Sequence, residues 1–213
     1  MIWRRIFLQL KCLRFFSLVP PMVLFAVTSL IFVPMIQLSG ATEEVYGLLL
    51  NYFQTITPIF SVWWTIFISR EYVENNGNEL LYMFKPRTLL REYLILFALY
   101  MFLALIVFFV LSFVFPSFML EYIRIFCICL MFFGITYTVL YITSSVTLSF
   151  MIVLVFSIVN MTMYGESPNA VLYHSTQPFE PSVIGTVCIP QFIIGVIFII
   201  VGYIANKRYI KYR

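Results

Sequence analysis

The chain has 213 residues, of which 62% are hydrophobic and 10% charged, with a formal net charge of +4. Soluble domains carry about 25% charged residues, and several apolar runs here exceed the ~18 residues that indicate a membrane-spanning helix. The composition therefore excludes a soluble globular domain and predicts an all-α, polytopic membrane protein. Its basic excess is typical of cytoplasmic membrane loops and does not indicate nucleic-acid binding.

Residues 1–14 predict an amphipathic helix that lies in the membrane interface. The apolar residues of one face recur at helical spacing: Trp3, Ile6, Phe7, Leu10 and Leu13. The basic residues lie mostly off that face, so apolar burial and attraction to anionic lipid would both hold the helix at the bilayer surface. A plain basic segment ahead of the first span is the alternative.

Six apolar segments follow and predict six spans of the lipid bilayer, with a basic tail at residues 206–213. The spans are expected at residues 15–38, 47–69, 89–115, 122–143, 146–164 and 183–205. A short turn at Ser144 and Ser145 would separate the fourth span from the fifth.

The basic residues predict the orientation of these spans. All of them except Arg124 lie in residues 1–14, 70–91 and 207–213, and six spans would place these three regions on one side. The positive-inside rule then predicts that both termini are cytoplasmic. Arg124 follows Glu121 by three residues, which predicts an ion pair at the outer surface.

Polar residues within two of the predicted spans share helical faces. Asn51, Gln54 and Thr55 do so in the second span, and Ser157 and Asn160 in the fifth. Polar side chains in hydrocarbon either bond to neighbouring helices or face a watery pathway. Both interpretations stay open at this point.

The sequence carries no P-loop, so the chain is expected to have no ATPase site of its own. The four cysteines show no metal-ligand spacing, and neither a metal nor a cofactor is expected. Two functions that involve no transport are compatible with these residues. One is a membrane peptidase that matures a signal peptide, with a Cys or Ser nucleophile beside His174. The other is a non-catalytic immunity or scaffold protein.

The charged segment, residues 70–91, reads REYVENNGNELLYMFKPRTLLR and resembles the first cytoplasmic loop of the type-2 ABC exporter permeases. The residues that carry the resemblance are Glu71, Gly77, Glu79, Leu80, Leu81, Pro86 and Arg87. The family also has a basic interfacial N-terminal helix, six spans, cytoplasmic termini and a longer outer segment before the last span, and the predicted topology is similar.

The resemblance implies a permease subunit that pairs with a second permease and with two ATPase subunits, which bind ATP and Mg. It also implies export of an amphipathic or apolar substrate, such as a peptide toxin, an antibiotic, a drug or a lipid-like molecule. Spans two and five would line the path, with Asn51, Gln54, Thr55, Ser157 and Asn160 as candidates.

The resemblance further implies that the charged segment contains a coupling helix that docks on the ATPase. Gly77 and Pro86 delimit a short stretch, residues 78–84, that suits such a helix. Its apolar patch consists of Leu80, Leu81 and Phe84, with Glu79 beside it. An ordinary solvated hairpin is the alternative for this segment.

Overall fold

The computed structural model of the chain describes residues 2–74, 89–166 and 184–211, and every regular element within these ranges is a helix. The α-helices are α1 (Ile2–Cys12), α2 (Val19–Val27), α3 (Val33–Ser39), α4 (Glu43–Ser61), α5 (Trp63–Val73), α6 (Leu90–Ser112), α7 (Phe118–Thr143), α8 (Val146–Glu166) and α9 (Ile189–Lys211). A 3-10 turn, Arg14–Ser17, follows α1. A π-helical turn, Thr28–Phe32, joins α2 to α3, and a second, Ile184–Cys188, leads into α9.

Four helical segments of the described chain are long and apolar enough to cross a membrane. They are Val19–Ser39, Leu90–Ser112, Phe118–Thr143 and Ile184–Lys207. The apolar part of α8, Val146–Thr162, is shorter. For the described residues the prediction of an all-helical membrane protein is confirmed, with four candidate spanning helices, and the count of six spans stays a prediction.

The predicted second span, residues 47–69, is divided into α4 and α5 at Val62. Pro58 lies inside α4, where proline removes one backbone hydrogen bond and disturbs the preceding turn. The Ser61 hydroxyl donates to the Pro58 carbonyl at 2.7 Å, close to where α4 ends. Hydropathy does not register this break because the residues on both sides of it are apolar.

The helices pack side by side, and contacts between their ends define two ends of the bundle. Ser69 of α5 lies against Tyr93 of α6, whereas Tyr46 of α4 lies against Phe115, just after α6. The α4–α5 pair is therefore antiparallel to α6. We call the end with Glu74 and Tyr93 the loop end, because the described chain stops at Glu74 and resumes at Leu89 there. The end with Tyr46 is the far end.

Helix α7 is the central helix, and α9 packs along it in parallel. In an apolar stretch of 18 residues in α7, 78% of the residues are buried, compared with 17% in the corresponding stretch of Ile184–Lys207. Gly195 of α9 lies against the backbone of Leu130, and Gly202 lies against Tyr137 and Thr138. Glycines allow the two backbones to approach closely, a common way of joining helices in a membrane.

Helix α1 packs against the bundle with part of its predicted apolar face. Ile6 is buried, and Leu10 and Leu13 pack against the same core. Phe7 points away and is 67% exposed, so the predicted face is divided between the protein and the surroundings. The position of α1 in the membrane interface stays a prediction.

Candidate functional site

Most of the predicted coupling residues lie outside the described residues: Gly77, Glu79, Leu80, Leu81, Phe84, Pro86 and Arg87. Glu71 lies in α5, although its side chain is outside the described ones. The structure does describe the residues on either side of this part of the chain, up to Glu74 and from Leu89 onward. Contacts of these flanking residues form the candidate site.

Glu74, directly after α5, connects this helix to the start of α8. Its Oε1 accepts a hydrogen bond of 2.8 Å from the backbone N–H of Val146, the first residue of α8. The first N–H groups of a helix lack intrahelical partners, and the helix dipole favours a negative charge there. Arg70 Nε lies 3.9 Å from Glu74 Oε2. The carboxylate therefore caps α8 and joins it to α5.

Gln9 of α1 bonds to residues on both sides of the charged segment. Its Nε2 donates to Glu92 Oε2 at 2.8 Å and lies 3.2 Å from the Tyr72 hydroxyl. Tyr72 is in the last turn of α5, and Glu92 is in the first turn of α6 with only 7% of its surface exposed. One amide group thus joins three helices where the charged segment begins and ends.

Buried tyrosines extend this set of polar contacts to α7 and α9. The Ser69 hydroxyl donates to the Tyr93 hydroxyl at 2.9 Å, and the Tyr93 and Tyr141 hydroxyls are 3.4 Å apart. Asn206 of α9 donates to the Tyr137 hydroxyl at 3.0 Å. We call the contacts of Gln9, Glu74 and these tyrosines the loop-end network. The sequence did not predict this network, because its members are single polar residues scattered among apolar ones.

The predicted substrate-path residues lie where α4 and α8 pack together. The Ser157 hydroxyl donates to the Thr55 carbonyl at 3.4 Å, and the Thr55 hydroxyl donates to the Asn51 carbonyl at 2.9 Å. Asn160 bonds to its own helix through the Phe156 carbonyl. The two polar faces do meet, and one contact between them is an interhelical hydrogen bond. Gln54 is fully buried, and a role of this face in transport stays a prediction.

Residues needed for the peptidase alternative are described only in part. Cys127, Cys129 and Cys188 are buried and Cys12 is exposed, whereas His174 lies outside the described residues. Within the described ranges, no three His, Cys, Asp or Glu side chains are grouped so as to hold a metal ion. No contact in the described chain favours peptidase chemistry.

The far end contains an ion pair that was predicted to be exposed and is buried. Arg124 Nη1 lies 3.2 Å from Glu121 Oε2, as the spacing predicts, but the side chains are only 1% and 0% exposed. The pair is therefore buried between helices, whereas the sequence had suggested that it would be exposed. The Tyr46 hydroxyl of α4 donates to Glu121 Oε1 at 3.0 Å. The spacing of two residues fixes their pairing, but not which face of the helix a neighbour covers.

Aromatic rings and a cysteine surround this ion pair. The Tyr46 ring makes edge contacts with Phe115 and Phe118, at centroid distances of 5.6 and 5.5 Å. Cys188, just before α9, packs against Cys127, which lies three residues after Arg124 in α7. Buried charges are costly unless they are paired and hydrogen-bonded. The sequence signal that could have found this cluster is that Arg124 is the one basic residue outside the three basic regions.

No protein-family model, curated protein or solved structure matches this chain. The fold and the two polar clusters define its class as a helical membrane protein with four candidate spanning helices, joined by polar contacts at both ends of the bundle.

Replacing Glu74 with alanine is expected to loosen the first turn of α8. Loss of a helix cap costs about 1 kcal/mol, and the backbone amides of residues 146–149 should exchange hydrogen correspondingly faster in lipid nanodiscs. Glu74→Gln keeps an acceptor oxygen, so the same amides should exchange at a rate between those of wild type and Glu74→Ala. Unchanged exchange at these amides in Glu74→Ala would contradict the capping role.

Proposed function

We propose that the chain is the permease subunit of an ATP-driven exporter of the type-2 ABC class, driven by a separate ATPase subunit. The observation that carries the proposal is the loop-end network, which ties both ends of the charged segment to other helices. The proposal also draws on the resemblance of that segment to the first cytoplasmic loop of such permeases.

The network provides a mechanical link from the charged segment to the membrane helices. Tyr72 and Glu92 share the Gln9 amide, and Glu74 caps α8. A displacement of the segment therefore acts on α1, α5, α6 and α8 together. Transporters use such rigid connections to convert closure of one subunit into movement of another, whereas a loop that only joins two helices needs no link to a third.

The proposal includes six membrane passes with both termini in the cytoplasm of a bacterial cell. Besides the four candidate spans, α4 and α5 run from Tyr46 at the far end to Glu74 at the loop end. Helix α8 runs from Val146 at the loop end past Ser157, which bonds to Thr55. Arg124 is the only basic residue outside the three regions that are proposed to be cytoplasmic. Because it is buried and paired with Glu121, it is not a loop charge of the kind that the positive-inside rule counts.

In this function the chain pairs with a second permease, and the ATPase subunits bind ATP and Mg. The substrate is an amphipathic or apolar molecule that passes between α4 and α8. The interhelical bond from Ser157 to Thr55 would have to break for this path to open. Polar groups on both faces could then solvate the polar part of the substrate.

The proposal predicts that an ABC ATPase is encoded next to this chain, and co-expression of the two proteins tests it. Wild-type protein should co-purify with the ATPase. Leu80→Asp should weaken the complex about 30-fold, because loss of a central interface residue costs ~2 kcal/mol or more. Stimulation of ATP hydrolysis and transport should fall with it.

Asn76→Asp is the matched control, because it adds the same charge to the same segment outside the apolar patch. It should bind and transport like wild type. Wild-type levels of co-purification and transport in Leu80→Asp would contradict the coupling role of the charged segment, and failure of the wild-type chain to bind the ATPase would contradict the proposed function.

A further inference from the structure

The buried ion pair at the far end has no part in the loop-end network, yet it is connected to the same helices. Tyr46 belongs to α4, and α4 continues through α5 to Tyr72 and Glu74 at the loop end. Glu121 and Arg124 belong to α7, the central helix. The hydrogen bond from Tyr46 to Glu121 therefore joins the α4–α5 pair, which precedes the charged segment, to the central helix α7.

A groove at the far end reaches this contact from outside. Its volume is about 460 Å³, and it is lined by Ala41, Thr42, Glu43, Tyr46, Gly47, Phe115 and Ser117. Tyr46 contributes to the groove wall, while its hydroxyl bonds to Glu121, which is fully buried. The tyrosine thus stands between the groove and the ion pair.

The chemistry of this contact suits a switch more than a permanent support. Apolar residues would close the far end without the cost of burying two charges. A charge-assisted hydrogen bond from one tyrosine is strong while it is made, and it can be exchanged for water when α4 moves away. The groove provides that water at the side of Tyr46.

We propose that Tyr46, Glu121 and Arg124 form a latch that holds the far end of the bundle closed, and that movement of α4 opens it by separating Tyr46 from Glu121. The latch depends only on contacts within this chain. Its role as the outer gate of an exporter rests on the proposed function.

The test measures how fast a charged, membrane-impermeant thiol reagent labels Cys188 in the purified chain in lipid nanodiscs, with mass spectrometry identifying each labelled cysteine. Cys188 is 2% exposed and packs against Cys127, which lies three residues after Arg124 in α7, so its labelling reports opening of the far end. Tyr46→Phe keeps the ring and removes only the hydroxyl. It should label Cys188 about tenfold faster, as expected when one hydrogen bond to a buried charge is lost and only the open form reacts.

Two controls separate the latch from general loosening. Tyr52→Phe removes a hydroxyl from the same helix that donates instead to the Val23 carbonyl at 3.2 Å, and it should label Cys188 at the wild-type rate. Cys129, fully buried in α7, should stay protected in both variants. The latch is overturned if Tyr46→Phe labels Cys188 at the wild-type rate, if Tyr52→Phe has an equal effect, or if Cys129 becomes reactive in parallel.

This experiment contains no ATPase, so its result is independent of the coupling test. Faster labelling of Tyr46→Phe supports the latch even in a chain that fails to bind the ATPase, and that failure would overturn only the transport function. Binding of the ATPase without any effect of Tyr46→Phe would overturn only the latch.

Discussion

Replacing Arg124 with leucine is expected to lower the free energy of unfolding by about 3–5 kcal/mol, the cost typical of removing one partner from a buried ion pair. Glu121 is fully buried and would lose its cationic partner at 3.2 Å. It would then keep a buried charge or take up a proton, and both cost free energy relative to the paired state. Unfolding by titration with a denaturing detergent in mixed micelles measures the change.

The double variant Glu121→Leu/Arg124→Leu is the matched control for this prediction. Replacing a whole buried ion pair by apolar residues of similar volume is often neutral or stabilising. The double variant should therefore be clearly more stable than Arg124→Leu alone, despite carrying one more substitution. If the two variants are equally unstable, the loss comes from packing around the leucines and not from the buried charge.

Gly195→Ala is expected to lower the free energy of unfolding by about 1–3 kcal/mol, the usual cost of overpacking a tight contact. An added Cβ would lie 3.0 Å from the carbonyl carbon and oxygen of Leu130 and from the Met131 nitrogen. These are backbone atoms of the central helix and cannot rotate away. Helix α9 would have to shift outward, which would weaken the bond from Asn206 to Tyr137 further along the same interface.

Gly47→Ala is the control, because a Cβ at this position meets nothing within 4 Å. Alanine favours a helix over glycine by up to about 1 kcal/mol, so this variant should be at least as stable as wild type. The same substitution in two helices thus has opposite expected signs. A stabilised Gly195→Ala in the same detergent titration would show that α7 and α9 are not in close backbone contact.

Local features of the sequence were sufficient to predict that the described chain is helical and that Glu121 pairs with Arg124. The turn at Ser144 and Ser145 is also present, with Ser144 in the left-handed region at φ 53°. These features depend on residues close together in the chain, whose spacing the sequence gives directly.

The features that the sequence did not predict depend on which helix covers which face. Gln9 bonds to Glu92 across 83 residues of chain, and Tyr46 bonds to Glu121 across 75. Glu92 does not differ locally from an exposed glutamate, and the only local sign that Glu121 is buried is the isolated basic residue Arg124. Nothing near Glu74 in the sequence indicates that it caps α8.

The parallel packing of α7 and α9 has a consequence for how the protein is synthesised. Gly134 and Thr138 of α7 face α9, and the Thr138 hydroxyl bonds to the Phe198 carbonyl. The ribosome makes α8 and residues 167–183 before α9 can arrive. During that interval Gly134 and Thr138 lack their contacts with α9. We therefore expect nascent chains that stop before α9 to be recognised as incomplete and degraded.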